Sequence, residues 1–184
     1  MALVGLVVVS HSRALAEAAV ELSLQMVHGT RPEIVVAAGT PEGGFGTDAT
    51  QVADAVRAAD RGAGVVVLMD LGSAVLSAEF AMDLVEDANA ILVAAPFVEG
   101  LLAATVRAAT GGTREEVADE ARAALGPKLA ALGPDFPADE EPPEKPGEVP
   151  WAADAETRVT LPNASGLHAR PAALLVAEAG RFDA

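Results

Sequence analysis

Short β-branched apolar runs alternate with longer Ala/Leu-rich stretches across residues 3–132. The first run, Leu3-Val4-Gly5-Leu6-Val7-Val8-Val9, stops abruptly at Ser10-His11-Ser12. An unbroken run of this kind reads as a strand buried on both faces of a parallel sheet. Apolar positions Leu15, Ala19, Leu22 and Met26 then recur at helical spacing, with Ser12 as the N-cap and Gly29 as the stop. His28 falls in the last turn of that helix, where it complements the dipole. Arg31-Pro32 turns the chain into a second strand, Ile34 to Ala38, followed by a loop over Gly39–Asp48 with four glycines in eight residues. Thr47 or Asp48 caps a second helix with Val52 and Val56 inward, ended at Gly62-Ala63-Gly64. Val65 to Met69 is the third strand. Asp70-Leu71-Gly72-Ser73 follows at once, with Ser73 as the expected cap of a third helix carrying Leu76, Phe80 and Leu84. Ala90 to Ala95 is the fourth strand, stopped by Pro96, and a helix runs on to about Thr110. Thr113-Arg114-Glu115-Glu116 is a capping box for a last helix, broken at Gly126-Pro127. Strand and helix alternating four times with short links predict an α/β fold, a doubly wound parallel sheet of four strands with helices on both faces.

Composition narrows the field. The 184 residues carry 51% hydrophobic but only 3% aromatic side chains, so the core is built from Val, Leu, Ile and Ala. With no cysteine there are no disulfides or thiolate metal sites, which suits a reducing, cytoplasmic setting. A net charge of -15 leaves no cationic surface to displace counterions from nucleic acid, and disfavours anionic membranes. The apolar N-terminus superficially imitates a signal peptide. However, no Lys or Arg precedes it, and His11 and Arg13 interrupt the approach to any cleavage site. The three histidines, His11, His28 and His168, have no ligand-like spacing, so no metal is expected.

The pattern concentrates candidate chemistry at one sheet edge. His11 ends the first strand and Asp70 ends the third, both at the carboxyl edge, and in a flavodoxin-like order those strands are neighbours flanking the switch point. A carboxylate on one ring nitrogen fixes the tautomer and leaves the other nitrogen free as a nucleophile. The amides following Ser12 and Ser73, with those of the glycine loop, are placed to hold phosphoryl oxygens. Taken alone, Asp70 reads equally as a strand-end turn residue, and His11 as a turn histidine. The glycine loop is neither a Walker loop nor a dinucleotide fingerprint.

Three stretches, Val7-Val8-Val9-Ser10-His11-Ser12, the Gly39–Asp48 loop and Met69-Asp70-Leu71-Gly72-Ser73-Ala74, together resemble the IIA domain of the mannose-type phosphotransferase family over about residues 1–132. Sugar-transporting members usually carry a longer Asp-x-x-Gly-Gly motif. The shorter Asp70 motif is closer to the phosphotransfer subunits of phosphoenolpyruvate-dependent dihydroxyacetone kinases. The resemblance implies that His11 is the phosphorylated nucleophile and Asp70 its orienting partner. It also implies phosphate-binding helper roles for Ser12, Gly43, Gly44, Gly72 and Ser73, and a homodimer. Phosphate would come from phosphoenolpyruvate through enzyme I and HPr, and pass to ADP on a DhaL subunit. The ATP formed there would phosphorylate dihydroxyacetone on DhaK. This chain itself would bind no cofactor, nucleic acid or membrane. The alternatives are a IIA component feeding a sugar permease, a regulator that binds partners according to His11 phosphorylation, and a ligand-binding domain with no phosphotransfer.

Beyond Leu132 the character changes. Residues 133–153 read as a Pro/acidic linker: Gly133–Pro150 holds six of the twelve prolines, and Asp135–Glu156 holds eight carboxylates against Lys145 alone. Trp151 has no physical account in this reading. Thr157 to Leu161 alternates like an edge strand and leads into Gly166-Leu167-His168-Ala169-Arg170-Pro171-Ala172, a string that closely resembles the active site of the phosphocarrier HPr. His168 precedes a helix with Pro171 early in it, and Arg170 stands beside it to balance phosphate charge. The resemblance implies that His168 is a second phosphorylation site. Residues 154–184 are too short to bury a core, so they are expected to be the opening part of a longer HPr-like domain.

Overall fold

A computed structural model describes residues 2–41, 43–85 and 88–133. The linker expected after Gly133, Trp151, and the 154–184 segment with His168 and Arg170 lie outside the described residues.

Four strands, β1 (Gly5–Ser10), β2 (Ile34–Ala38), β3 (Val65–Met69) and β4 (Ala90–Val93), form one parallel sheet in the order β2-β1-β3-β4. Reversal of strand order between β1 and β3 makes the switch point where α/β sheets place their sites. β1 and β3 are buried along their whole lengths, as their unbroken Val/Leu runs demand.

Alternation along β1 divides the core into two layers. Leu6 and Val8 face one side, with Val66, Leu68 and Val93, under α1 (Arg13–Leu24), α4 (Phe97–Ala109) and α5 (Arg114–Ala123). Val7 and Val9 face the other, with Val65, Val67 and Met69, under α2 (Ala49–Ala59) and α3 (Gly72–Asp83). Asp48 caps α2 by accepting from the Gln51 amide at 2.8 Å. The Thr113/Glu116 capping box starts α5 as expected.

Several helical details differ from the sequence pattern. α1 ends at Leu24, so His28 lies beyond it and not in its last turn. Its buried face is Ala16, Ala19 and Ser23, whereas Leu15, Leu22 and Met26 are exposed. Likewise α3 buries Ala74, Ala78 and Ala81, while Leu76, Phe80 and Leu84 face outward. The reason is packing: a sheet surface made of Val and Leu already fills the interlayer space, and alanines let the helix backbone approach it closely. Ser73 is not the cap of α3. Leu71 holds that position without a side-chain hydrogen bond. The fourth strand stops at Val93, short of Ala95. Gly126-Pro127 does not end the helical region but opens a further short helix, α6 (Gly126–Leu132), with the proline in its first turn.

One glycine is required by close approach. A Cβ added at Gly5 would stand 2.2 Å from the Ala59 carbonyl oxygen at the end of α2. Gly5→Ala is therefore expected to destabilise the protein by about 2 kcal/mol or more, as overpacking against backbone does. Gly126→Ala, where the new Cβ meets open space, should stay within about 0.5 kcal/mol of wild type. Denaturant unfolding of the two variants checks the contrast.

Candidate active site

The pairing register builds the site. Val9 lies opposite Met69, and the ladder continues one step further through the Asp70 amide donating to the Val9 carbonyl at 3.1 Å. That step brings Asp70 against Ser10 and His11 at the carboxyl ends of β1 and β3.

The His11 Nδ1 stands 3.0 Å from Asp70 Oδ1, and its Nε2 stands 2.8 Å from Ser73 Oγ. The Asp70 side chain is only 8% exposed and that of His11 25% exposed, so the pair is sheltered but the ring is reachable. Burial alone pushes the Asp70 carboxyl up. Hydrogen bonds from the His11 amide, the His11 ring, Ser10 and the Leu71 amide outweigh it, and the group ends below its ordinary value of 3.8. An ionised carboxylate offers only acceptors, so the ring nitrogen facing it carries the proton. In the neutral ring Nε2 then holds the lone pair, and the Ser73 hydroxyl is placed to donate to it. This is the arrangement of a nucleophilic imidazole: tautomer fixed on one side, lone pair presented on the other, carboxylate ready to balance positive charge on the ring.

The other expected residues fall into two groups. Gly72 and Ser73 open α3, whose first turn has no side-chain cap, so their amides have no partner within the helix. The space in front of Gly72 is open. Ser12 is committed to α1, its Oγ accepting from the Leu15 amide at 3.3 Å. The Gly43 amide donates to the Thr40 carbonyl at 2.9 Å, and the Gly44 amide to Thr40 Oγ1 at 3.1 Å. The glycine loop therefore spends those amides on its own turn. It is tied to the site instead through Gly46, whose amide donates to the His11 carbonyl at 3.0 Å, and through Gly39, whose amide donates to that of Ser10 at 3.1 Å. A cleft of about 420 Å³ beside the site is lined by Ser12, Arg13, Thr40, Gly43, Gly44 and Phe45. Neither His11 nor Asp70 lines it.

Two contacts were not foreseen from the pattern. Ser10 donates to Asp70 Oδ2 at 2.9 Å while accepting from the Ser12 amide at 3.1 Å. Ser73 touches the ring directly. The signal for Ser10 was present in the sequence, as a hydroxyl closing an otherwise wholly apolar strand. Among the described residues no group of three or more His, Cys, Asp or Glu side chains is placed to hold a metal ion. Among them, too, no helix is long and apolar enough to cross a membrane.

This chain is similar to several known proteins. Residues 155–184 match a family model described as PTS HPr component phosphorylation site. The chain is 44% identical over 180 residues to a Pantoea ananatis protein named PEP-dependent dihydroxyacetone kinase, phosphoryl donor subunit DhaM, covering 95% of this chain and 38% of that one. An Escherichia coli protein of the same name is 42% identical over 190 residues, covering 99% of this chain and 39% of its own length. The chain thus spans well under half the length of these two relatives. A Listeria innocua protein, named PEP-dependent dihydroxyacetone kinase 2, phosphoryl donor subunit DhaM, is 31% identical over 121 residues, covering 64% of this chain and 96% of it. Among solved structures, one described as unknown function protein EF1359 aligns with a TM-score of 0.56 at 33% identity, over 64% of this chain and 91% of its own. A further family model, EIIA-man, described as PTS system fructose IIA component, matches residues 5–118. That span runs from β1 into α5 and takes in His11, Asp70 and Ser73 alike, and by it this chain belongs to the EIIA-man family.

Proposed function

We propose that this chain is a phosphohistidine carrier that takes a phosphoryl group on His11 Nε2 and passes it on. The observation carrying the proposal is the His11 ring itself, held at Nδ1 by an ionised carboxylate and presenting Nε2 at the mouth of the switch point. In the attack, the Nε2 lone pair forms the N–P bond as the donor's bond to phosphorus breaks, and Asp70 balances the positive ring. The Ser73 hydroxyl and the Gly72 and Ser73 amides receive the phosphoryl oxygens. Ser12, Gly43 and Gly44 then act through the shape of the rim, because their hydrogen-bonding groups are largely committed elsewhere.

The relatives are named as phosphoryl donor subunits of PEP-dependent dihydroxyacetone kinases, and with the family resemblance this supports extending the proposal to a pathway. Phosphoenolpyruvate is the source, through enzyme I and HPr, and ADP on a DhaL subunit is the acceptor, with DhaK phosphorylating dihydroxyacetone. In this reading the organisation is a IIA domain at 1–132, a linker at 133–153 and the start of an HPr-like domain at 154–184. His168 is a second carrier site there, with Arg170 beside it, and the protein works in the cytoplasm. The exposed Leu76 and Phe80 of α3 and Leu84 at its C-cap, spaced four apart, support a homodimer through the IIA domain.

Reconstituted transfer tests the core of this reading. Incubation with labelled phosphoenolpyruvate, enzyme I and HPr should place an acid-labile phosphoryl group on the peptide containing His11, located by mass spectrometry. It should discharge onto ADP only when DhaL is present. His11→Ala should lose that label while keeping its fold, because a strand-end ring adds little to the core. Label on that peptide in the Ala variant would overturn the assignment, and discharge to a permease subunit in place of DhaL would redirect the pathway.

Asp70 supplies a second test. Asp70→Asn should slow transfer roughly 10²-fold or more, since the amide no longer fixes the ring tautomer. It should also change the acid profile of stability. The folded-state value of Asp70 lies below its unfolded value, so its contribution is complete above the ordinary aspartate range and is lost as pH falls through the depressed value. The stability gap between wild type and Asp70→Asn should therefore close as pH falls below the ordinary aspartate range. A gap independent of pH would show that Asp70 is not held ionised.

A further inference from the structure

We propose that Ser10 is a positioning residue for the chemistry at His11, its buried hydroxyl holding the Asp70 carboxylate in the orientation that keeps the ring proton on Nδ1. This rests on the reading of His11 as the phosphoryl-accepting residue.

Ser10 is the last residue of β1 and is fully buried. A hydroxyl there has one proton and two nearby acceptors, Asp70 Oδ2 at 2.9 Å and the Ser12 carbonyl at 3.1 Å. The charged and nearer acceptor wins the proton. The Ser12 amide, donating to Ser10 Oγ at 3.1 Å, occupies one lone pair and turns the O–H toward the carboxylate. Ser12 is in turn the N-cap of α1. Ser10 is therefore braced by the start of a helix on one side and braces the carboxylate on the other.

The division of labour on Asp70 gives this brace its effect. Oδ1 receives the His11 ring and the Leu71 amide, the latter at 2.7 Å. Oδ2 receives the Ser10 hydroxyl and the His11 amide, the latter at 2.8 Å. Rotation of the carboxylate about its terminal torsion, a soft coordinate in aspartate, would carry Oδ1 off the ring. The two bonds on Oδ2 oppose that rotation. Of the two, only the one from Ser10 comes from a side chain, so only it is open to removal by substitution. Ser10 touches neither Nε2 nor the space in front of it. It acts through Asp70, and that sets the test.

The experiment uses the full chain and the four proteins of a double-mutant cycle: wild type, Ser10→Ala, Asp70→Asn and the double variant. Two readouts are taken, the rate and KM of phosphoryl transfer from phospho-HPr, and the ¹⁵N shifts of the His11 ring nitrogens. Ser10→Ala should lower the transfer rate about tenfold, the worth of one hydrogen bond to a charged acceptor, with KM unchanged. The ring shifts should move away from the Nδ1–H tautomer. In the Asp70→Asn background the same substitution should change neither rate nor shifts, because its route of action is already gone. Wild-type rates and shifts in Ser10→Ala would overturn the proposal, and so would a loss that simply adds to that of Asp70→Asn. The ring shifts need no phosphoryl donor. A tautomer change in Ser10→Ala thus upholds Ser10 as a positioning residue even in a wild-type protein that takes no label, whereas the absence of label alone defeats the carrier reading.

Discussion

A carboxylate held ionised with 8% of its side chain exposed is the constraint on which the rest of the site depends. Placing such a charge out of water without partners costs several kcal/mol, so its position requires that donors be supplied to it. Asp70 receives four, and three of them are available only when β1 and β3 pair in parallel with Val9 opposite Met69. β1 supplies the Ser10 hydroxyl, and the turn after it supplies the His11 amide and ring. The turn into α3 supplies the Leu71 amide. A register slip of one residue would move the valines of β1 to the wrong layers and strip the carboxylate of three donors at once. Core and site thus enforce the same alignment.

Legibility in the sequence follows the strength of each local signal. The strands were readable because runs such as Val65 to Met69 have no competing interpretation beside Gly62-Ala63-Gly64 and Asp70. His11 and Asp70 were readable as a pair because both end such runs, and parallel strands bring their ends to one edge. The faces of the helices were not. In an Ala/Leu-rich segment such as Arg13–Leu24, the Leu15–Leu22 stripe and the Ala16–Ser23 stripe both fit a period of 3.6. Size favours burying leucine, but the sheet surface decides otherwise, because β1 and β3 already present bulky side chains on both faces. Ser73 was misplaced for a related reason. A serine after a strand end is usually a cap, and only the fold reveals that the His11 ring is the nearer partner.

Burial of alanines and exposure of leucines has a consequence for the domain as a whole. α3 is apolar on both sides, with Ala74, Ala78 and Ala81 against the sheet and Leu76, Phe80 and Leu84 outside. A helix of that character satisfies only half its hydrophobic surface by folding. The same helix begins with the residues that face His11. In the proposed dimer, association through its outer face and chemistry at its first turn would share one rigid rod, the outer face beginning at Leu76 within a turn of Ser73.

In the proposed relay, Ser73 bears on how the carrier both accepts and surrenders a group. In the free protein its hydroxyl donates to the Nε2 lone pair, which lowers that nitrogen's nucleophilicity somewhat and keeps the ring in place. Once Nε2 carries phosphorus the lone pair is gone, and the hydroxyl must find a new acceptor, of which the phosphoryl oxygens are the closest by construction. One hydrogen bond is thus present in both states and exchanged between them, so the gain from the charged phosphoryl acceptor is partly offset by the bond given up at Nε2. Asp70 acts differently: in the proposed relay it bonds Nδ1–H throughout but interacts more strongly with the ring that N–P bond formation makes positive, lowering the barrier to attack and stabilising the phosphorylated ring. A relay needs this combination. A side chain that bound the phosphorylated state much more tightly than the free one would trap the group it is meant to pass on, and the water access of the His11 ring, 25% exposed, moderates the carboxylate's hold on the positive ring.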